Sequence, residues 1–472
     1  MRGRTTNAVR ACTLALIAAL ALAGCTTTVP VAEQTLAARP AAWLAVVPRQ
    51  VAATPAFTRL AAARRAEYEV TVVEYDPASG TPAQRLALVQ SAIASATRTA
   101  TDGVHGFVFI VGSPNAIPMG PWEFEGVAQA IYTDLPLSAA LDTSSGRIGS
   151  ADWHAALTAA PKWVVGRLPY DDPGVVGAAL QGSLAHMGRS TSTSGHALLA
   201  ATGVAEGWAM AAARGQIQRD GWSAELAGAT GSCDVSAPGG LLPLWSAQSP
   251  RIVAIAAPTP DPSTTGALQG MLVNRASSDA SAASSPALLV AFTGSFGHPD
   301  DDTMRSLFAG QWTAGIVAFT APVAPFPVGP AWQMAITLPH DLAQGATLGT
   351  STEAARRRFW SQSGRDVGLI MPGTDRWRAH TALSLAVVGD PALRAAQGDA
   401  PPTTASTGLP IVAPQTATSP PPEPTTAAIA AAPDPAADHM WPKWLGLGAL
   451  MLFFIAVAAW LVARRSSPGS AA

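Results

Sequence analysis

The segment Gly294-Ser295-Phe296-Gly297-His298 sets a hydroxyl and an imidazole three residues apart after an apolar run, which could pose Ser295 as a nucleophile with His298 as its base. A serine elbow needs glycine two residues before the nucleophile, yet Thr293 stands there, and no oxyanion donors are identifiable. Cys233, in Gly231-Ser232-Cys233-Asp234, is a second candidate nucleophile. Its Gly, Ser and Pro surroundings read as a loop with no histidine near in sequence, so a buried or incidental thiol is the plainer reading. Asp300-Asp301-Asp302 could offer oxygens to calcium, but acids before Thr303-Met304-Arg305 read better as a helix start capped by Asp302. Single cysteines and scattered histidines give no zinc-ligand spacing, and no motif implies a cofactor.

A different cysteine chemistry is written at the amino end. Arg2, Arg4 and Arg10 precede an uncharged run over 11–21, and Leu22-Ala23-Gly24-Cys25 follows. These are the three regions of a secretory signal, in order. The run is shorter than the ~20 apolar residues a bilayer span needs. Small residues at 23 and 24 suit a peptidase cleft, and Cys25 supplies the thiol to be acylated, so 1–24 resembles a lipoprotein signal and 25–39 a tether. At the other end, residues 445–463 are uncharged and apolar, enough for a helix of about 28 Å. Trp441, Trp444 and Trp460 mark the interfaces, and Arg464-Arg465 follow. The reading is a transmembrane helix at 441–463 with a cytoplasmic tail at 464–472, although a processed sorting signal would look similar. The bulk of the chain is then expected outside the cell membrane.

Residues 397–440 hold ten prolines between Pro401 and Pro435, together with Thr and Ala. This reads as a disordered linker that could reach roughly 140 Å if polyproline-like. Cys12 leaves with the signal and Cys25 is committed to lipid, so Cys233 has no disulfide partner within the mature chain. A formal charge of −2 and the lack of a basic run argue against nucleic acid as a partner.

The elements that must position any site lie between these ends, and they alternate. Strands are expected at 43–47, 70–75, 107–111 and 163–165, then at 197–201, 252–257, 287–293, 315–320 and 383–388. Helices are expected at 57–68, from Thr81-Pro82-Ala83-Gln84 onward, from Asp171-Asp172-Pro173 toward Met187, at 208–219, at 267–274 and at 353–360. Thr350 with Glu353 reads as a capping box for the last. Alternation of this kind implies an α/β fold with largely parallel sheets, in two halves at 40–190 and 191–396.

Four segments together resemble the gingipain-type cysteine peptidases. They are Val111-Gly112-Ser113-Pro114-Asn115-Ala116-Ile117-Pro118, Tyr132-Thr133-Asp134-Leu135, Val165-Gly166-Arg167-Leu168-Pro169 and Val388-Gly389-Asp390-Pro391-Ala392-Leu393-Arg394. The resemblance covers about residues 40–395 and implies a caspase-like module of two side-by-side, mostly parallel sheets flanked by helices, with catalysis in the second half. Ser113 stands where the family usually has an acid, and Asp134 is expected either to shape the cleft or to be a solvated turn acid. The family's histidine and cysteine follow successive strands, which counting back from Gly389-Asp390-Pro391 places at Ala257 and Thr293. Taking His298 as the family histidine instead leaves only Ala321-Pro322 for the nucleophile.

The expected function is therefore a membrane-anchored module that binds a protein or peptide without peptidase chemistry. The alternatives are a hydrolase whose nucleophile has moved to Ser295, Thr293 or Cys233, and a structural surface protein. The amino-terminal reading has a direct test: labelled fatty acid should enter the protein and be lost in Cys25→Ser, and equal labelling of the variant would reject it.

Overall fold

The computed structural model describes residues 42–97, 106–127, 129–159, 161–189, 195–228, 240–257, 272, 285–321, 331–366 and 374–396. Cys25, Cys233, most of the expected helix at 267–274, the Pro-rich linker and the apolar segment at 445–463 lie outside them. None of the described helices is long and apolar enough to cross a membrane.

The first half opens with β1 (Ala42–Pro48), α1 (Arg49–Ala52), α2 (Pro55–Arg65), β2 (Glu69–Tyr75), α3 (Pro82–Thr97) and β3 (Gly106–Val111). An excursion follows, carrying β4 (Glu123–Phe124), α4 (Leu135–Ser138), β5 (Arg147–Ile148) and α5 (Ser150–Thr158) before β6 (Trp163–Leu168) and α6 (Pro173–Met187). The second half runs β7 (His196–Ala201), α7 (Val204–Arg219), β8 (Ser223–Gly228), α8 (Leu241–Gln248), β9 (Ile252–Ala256) and β10 (Ala287–Phe292). It ends with α9 (Asp302–Ala309), β11 (Thr313–Phe319), α10 (Ala331–Ala343), α11 (Leu348–Asp366), α12 (Thr374–Ser384) and β12 (Leu385–Gly389).

Local chemistry sets several of these starts as expected. Thr81 Oγ1 accepts from the Gln84 amide at 3.2 Å, and Gln84 Oε1 accepts from the Thr81 amide at 2.7 Å. Asp172 caps α6 by accepting from Gly174 and Val175, with Pro173 in the first turn. Two other starts are corrected. Asp301, not Asp302, caps α9, because its carboxylate reaches the Met304 amide at 2.9 Å. The box at α11 is Thr347 with Thr350, whose hydroxyls serve each other's amides at 3.1 Å, so Thr350 already lies inside the helix. Glu353 is buried and pairs with Arg356, which also donates to the carbonyls of Ala382 and Leu385.

The expectation of two sheets is also corrected. Apart from β4 and β5, which pair with each other, the described strands form one ten-stranded sheet in the order β2-β1-β3-β6-β12-β11-β10-β9-β7-β8. Ladders within each half are parallel, as buried apolar runs predict, and β12 lies between the halves, antiparallel to β11. The chain's last strand thus fills the seam and makes the sheet continuous. Gly166 in β6 is needed there: a Cβ would fall 2.5 Å from the Gly389 carbonyl oxygen.

After β12 the chain buries Asp390, which accepts from Trp43 Nε1 at 3.1 Å, from Arg64 Nε at 2.8 Å and Nη2 at 2.6 Å, and from the Ala392 amide at 3.0 Å. Asp390 and Arg64 are 1% and 2% exposed, so neither charge can fall back on water if the other is removed. Asp390→Ala should cost about 3–5 kcal/mol, read as a lower midpoint in denaturant, with Arg64 left buried and facing only the more distant Glu67 carboxylate, 3.6 Å away. A midpoint within error of the parent's would mean that Arg64 finds solvent.

Candidate functional site

In open α/β sheets ligands sit beyond the carboxyl ends of the strands, and the strand ends of the second half bring the expected positions together. β9 and β10 run in register with Ala256 opposite Phe292, so the next residues, Ala257 and Thr293, stand side by side. Both are buried, and the Ala257 amide donates to the Phe292 carbonyl at 3.3 Å. A methyl group and a secondary hydroxyl therefore stand at these two strand ends.

Beyond Thr293 the chain makes a tight turn stitched to β11. The Ser295 amide donates to the Ala321 carbonyl at 3.1 Å, and the Gly297 amide to Phe319 at 2.8 Å. Gly297 packs so closely that a Cβ would meet both Ala318 and Phe319 at 3.2 Å. Ser295 adopts φ 62°, a left-handed conformation that costs a non-glycine residue on the order of 1–2 kcal/mol and recurs at functional turns.

Ser295 and His298 do share this turn and are both half-buried, but the bond between them is backbone, from the His298 amide to the Ser295 carbonyl at 3.0 Å. The imidazole faces elsewhere. Its Nδ1 accepts from the Asp300 amide at 3.3 Å and lies 3.8 Å from the Asp300 carboxylate, while its ring meets Tyr132 edge-on at 4.8 Å. An accepting Nδ1 makes the neutral ring an Nε2–H tautomer, which can donate to a ligand but cannot take a serine proton at Nε2. Asp301, capping α9 below this turn, has its carboxyl pushed up by burial, with the Met304 and Thr303 amides pulling it back.

Tyr132 comes from the first half's excursion. Thr320, at the end of β11, donates through Oγ1 to the Tyr132 carbonyl at 2.5 Å, and Trp122 Nε1 donates to the Thr133 carbonyl at 3.0 Å. The next residue, Asp134, is not a solvated turn acid. Arg167 grips it in two parallel bonds, Nε to Oδ2 at 2.8 Å and Nη2 to Oδ1 at 2.6 Å. The same guanidinium gives Nη1 to the carbonyls of Gly112 at 3.1 Å and Ile117 at 2.8 Å. Three of the four recognised segments therefore meet on one side chain, and the fourth passes beside it, with Val388 the register partner of Arg167. Sequence reading passed over Arg167 as a functional residue. The available signal was a charge inside a wholly buried apolar strand.

Ser113 keeps an acid close by other means: its hydroxyl donates to Asp171 at 2.5 Å and its amide to the same carboxylate at 2.9 Å. Glu206 was also missed, because α7 begins at Val204, earlier than its apolar spacing indicated. Its carboxyl is buried in the first turn, folded over Gly203 beyond the end of β7.

Comparison with solved structures turns on this architecture. The crystal structure of the Arg-specific cysteine proteinase gingipain R superposes with a TM-score of 0.51 at 13% identity, over 75% of this chain and 78% of that one. The fold is the caspase-like one of the cysteine peptidases. A second protease structure agrees, with a TM-score of 0.52 at 13% identity over 80% of this chain and 83% of its own. No family model matches the sequence, and no curated protein does.

The tautomer assignment can be checked directly. In a long-range nitrogen–proton correlation spectrum, the neutral ring of His298 should appear as the Nε2–H form; an Nδ1–H ring would return His298 as a base for Ser295.

Proposed function

We propose that the chain is a membrane-tethered module outside the cytoplasmic membrane that binds a protein or peptide across the strand ends of a peptidase-like fold, without hydrolysing it. The supporting observation is the pairing of Ala257 with Thr293 at adjacent strand ends, where the resemblance implies the catalytic histidine and cysteine. A thiol is partly ionised near neutral pH and attacks carbonyls with one base. The Thr293 hydroxyl is a far weaker acid and needs a positioned base, and the imidazole of His298 faces Tyr132 and Asp300. The contacts that hold the turns around Tyr132, Ser295 and Thr320 together do not require the dyad. The anchoring is supported by the sequence signals at Cys25 and at 445–463.

A second reading, a hydrolase with a relocated nucleophile, is favoured by the left-handed Ser295 alone. Full-length protein in detergent should give turnover near background on a broad peptide library, because loss of a nucleophile and its base removes several orders of magnitude in rate. The same preparation should retain peptides from that library. Turnover well above background that disappears in Cys233→Ala or in Thr293→Val would identify that residue as the nucleophile, and its disappearance in Ser295→Ala would favour the serine alternative. Failure to retain any peptide would leave a structural surface protein as the better account.

A further inference from the structure

At the opposite end of the sheet from the cleft, the amino ends of β7 and β8 carry a polar chain that neither the sheet ladder nor the proposed binding uses. His196 and Ser223 are register partners in the parallel ladder. Ser223 Oγ lies 2.9 Å from His196 Nδ1, and His196 Nε2 lies 2.7 Å from Gln248 Oε1 at the end of α8. Gln248 Nε2 donates in turn to Glu225 Oε2.

The last member decides the direction of every proton. A carboxylate only accepts, so the amide turns its nitrogen to Glu225 and its oxygen to the ring. The ring hydrogen is then on Nε2, and Nδ1 presents a lone pair to the Ser223 hydroxyl. Ser223 is exposed, whereas His196, Gln248 and Glu225 are half-buried. This is the order of a nucleophile, a base and an orienting acid, with an amide interposed. The Gly195 carbonyl, 3.2 Å from Ser223 Oγ, is a second acceptor that takes the hydroxyl hydrogen when the ring is protonated.

We propose that Ser223 is an activated nucleophile that accepts an acyl group from an activated ester, with His196 as base and Gln248 and Glu225 as positioning residues. Ser223 Oγ bonds to the carbonyl carbon and its proton passes to His196 Nδ1. The bond from that carbon to the ester oxygen breaks, and the imidazolium returns the proton to the departing alkoxide. The products are O-acyl-Ser223 and an alcohol. Esters are the fitting class because the Trp222 and Ser223 amides are already engaged by the Ile217 and Gly195 carbonyls, leaving neither to stabilise the oxyanion that amide cleavage demands. β8 is the sheet's last described strand on that side and Ser223 is exposed at its start, so an acyl chain can approach the hydroxyl from solvent.

The test treats full-length protein in detergent with p-nitrophenyl acetate and, separately, with a fluorophosphonate, and maps the adduct by mass spectrometry. The adduct should sit on Ser223, vanish in Ser223→Ala and form about a hundredfold more slowly in His196→Ala, with added imidazole restoring the rate. His196→Gln, which keeps a hydrogen-bonding amide in the ladder, should show the same loss should His196→Ala fail to fold. Glu225→Gln should slow the labelling, and a long-range nitrogen–proton correlation spectrum should show the His196 ring losing its preference for the Nε2–H tautomer, because the Gln248 amide is then free to turn over; a merely structural partner leaves that tautomer in place. An unlabelled Ser223, or labelling indifferent to His196 in a folded variant, overturns the proposal. Neither result bears on peptide retention at the far end of the sheet.

Discussion

The architecture depends on one buried carboxylate. Asp390 follows the strand that fills the seam of the sheet, and its bonds run to Arg64 at the end of α2 and to Trp43 in the first strand, 326 and 347 residues away in sequence. Taking an aspartate and an arginine out of water is costly, and their attraction offsets that cost only with good geometry and full hydrogen bonding. Here both conditions hold: the arginine gives two donors to one oxygen, and the indole and a backbone amide serve the other. The pair contributes less as net stability than as specification, because an unpaired member would penalise any arrangement in which β12 lies elsewhere.

Arg167 plays the matching part for the excursion after β3. Its five donors suit a carboxylate on one side and two carbonyls on the other, which a lysine, with a single point charge, would not reproduce. By holding Gly112, Ile117 and Asp134 together, it fixes where the excursion after β3 returns to the sheet, and so where Tyr132 meets His298 and Thr320. The recognised segments are thus mainly scaffold. The likeness to gingipain R, at 13% identity, is one of fold.

Much was determined by the sequence alone, and the reason is local. Apolar runs of strand length placed most of the buried strands, because a strand covered on both faces has no polar side to show. The Thr81–Gln84 box and the Asp172 cap were legible because donor and acceptor lie within one turn. That Ala257 and Thr293 stand at adjacent strand ends was expected only through the resemblance, which supplied the order of the strands. Where two hydroxyls or two acids competed for one cap, sequence chose the wrong neighbour, at Thr350 and at Asp302, since the choice rests on backbone angles that composition does not contain.

Tertiary structure decided the rest. The edge strand β8 reads Ser-Ala-Glu-Leu-Ala-Gly, with little β propensity, and exists because β7 offers it a ladder. A single sheet in place of two follows from β12 crossing back to the seam, a long-range choice that no local period encodes. Arg64 and Asp390, Arg167 and Asp134, and His196 with Ser223 are unremarkable residues until the fold sets them 2.6–2.9 Å apart. Sequence determines which groups a chain carries and which can bond to near neighbours; only the closed sheet decides which distant charge each buried group must answer, because that depends on burial, and burial is a property of the whole fold.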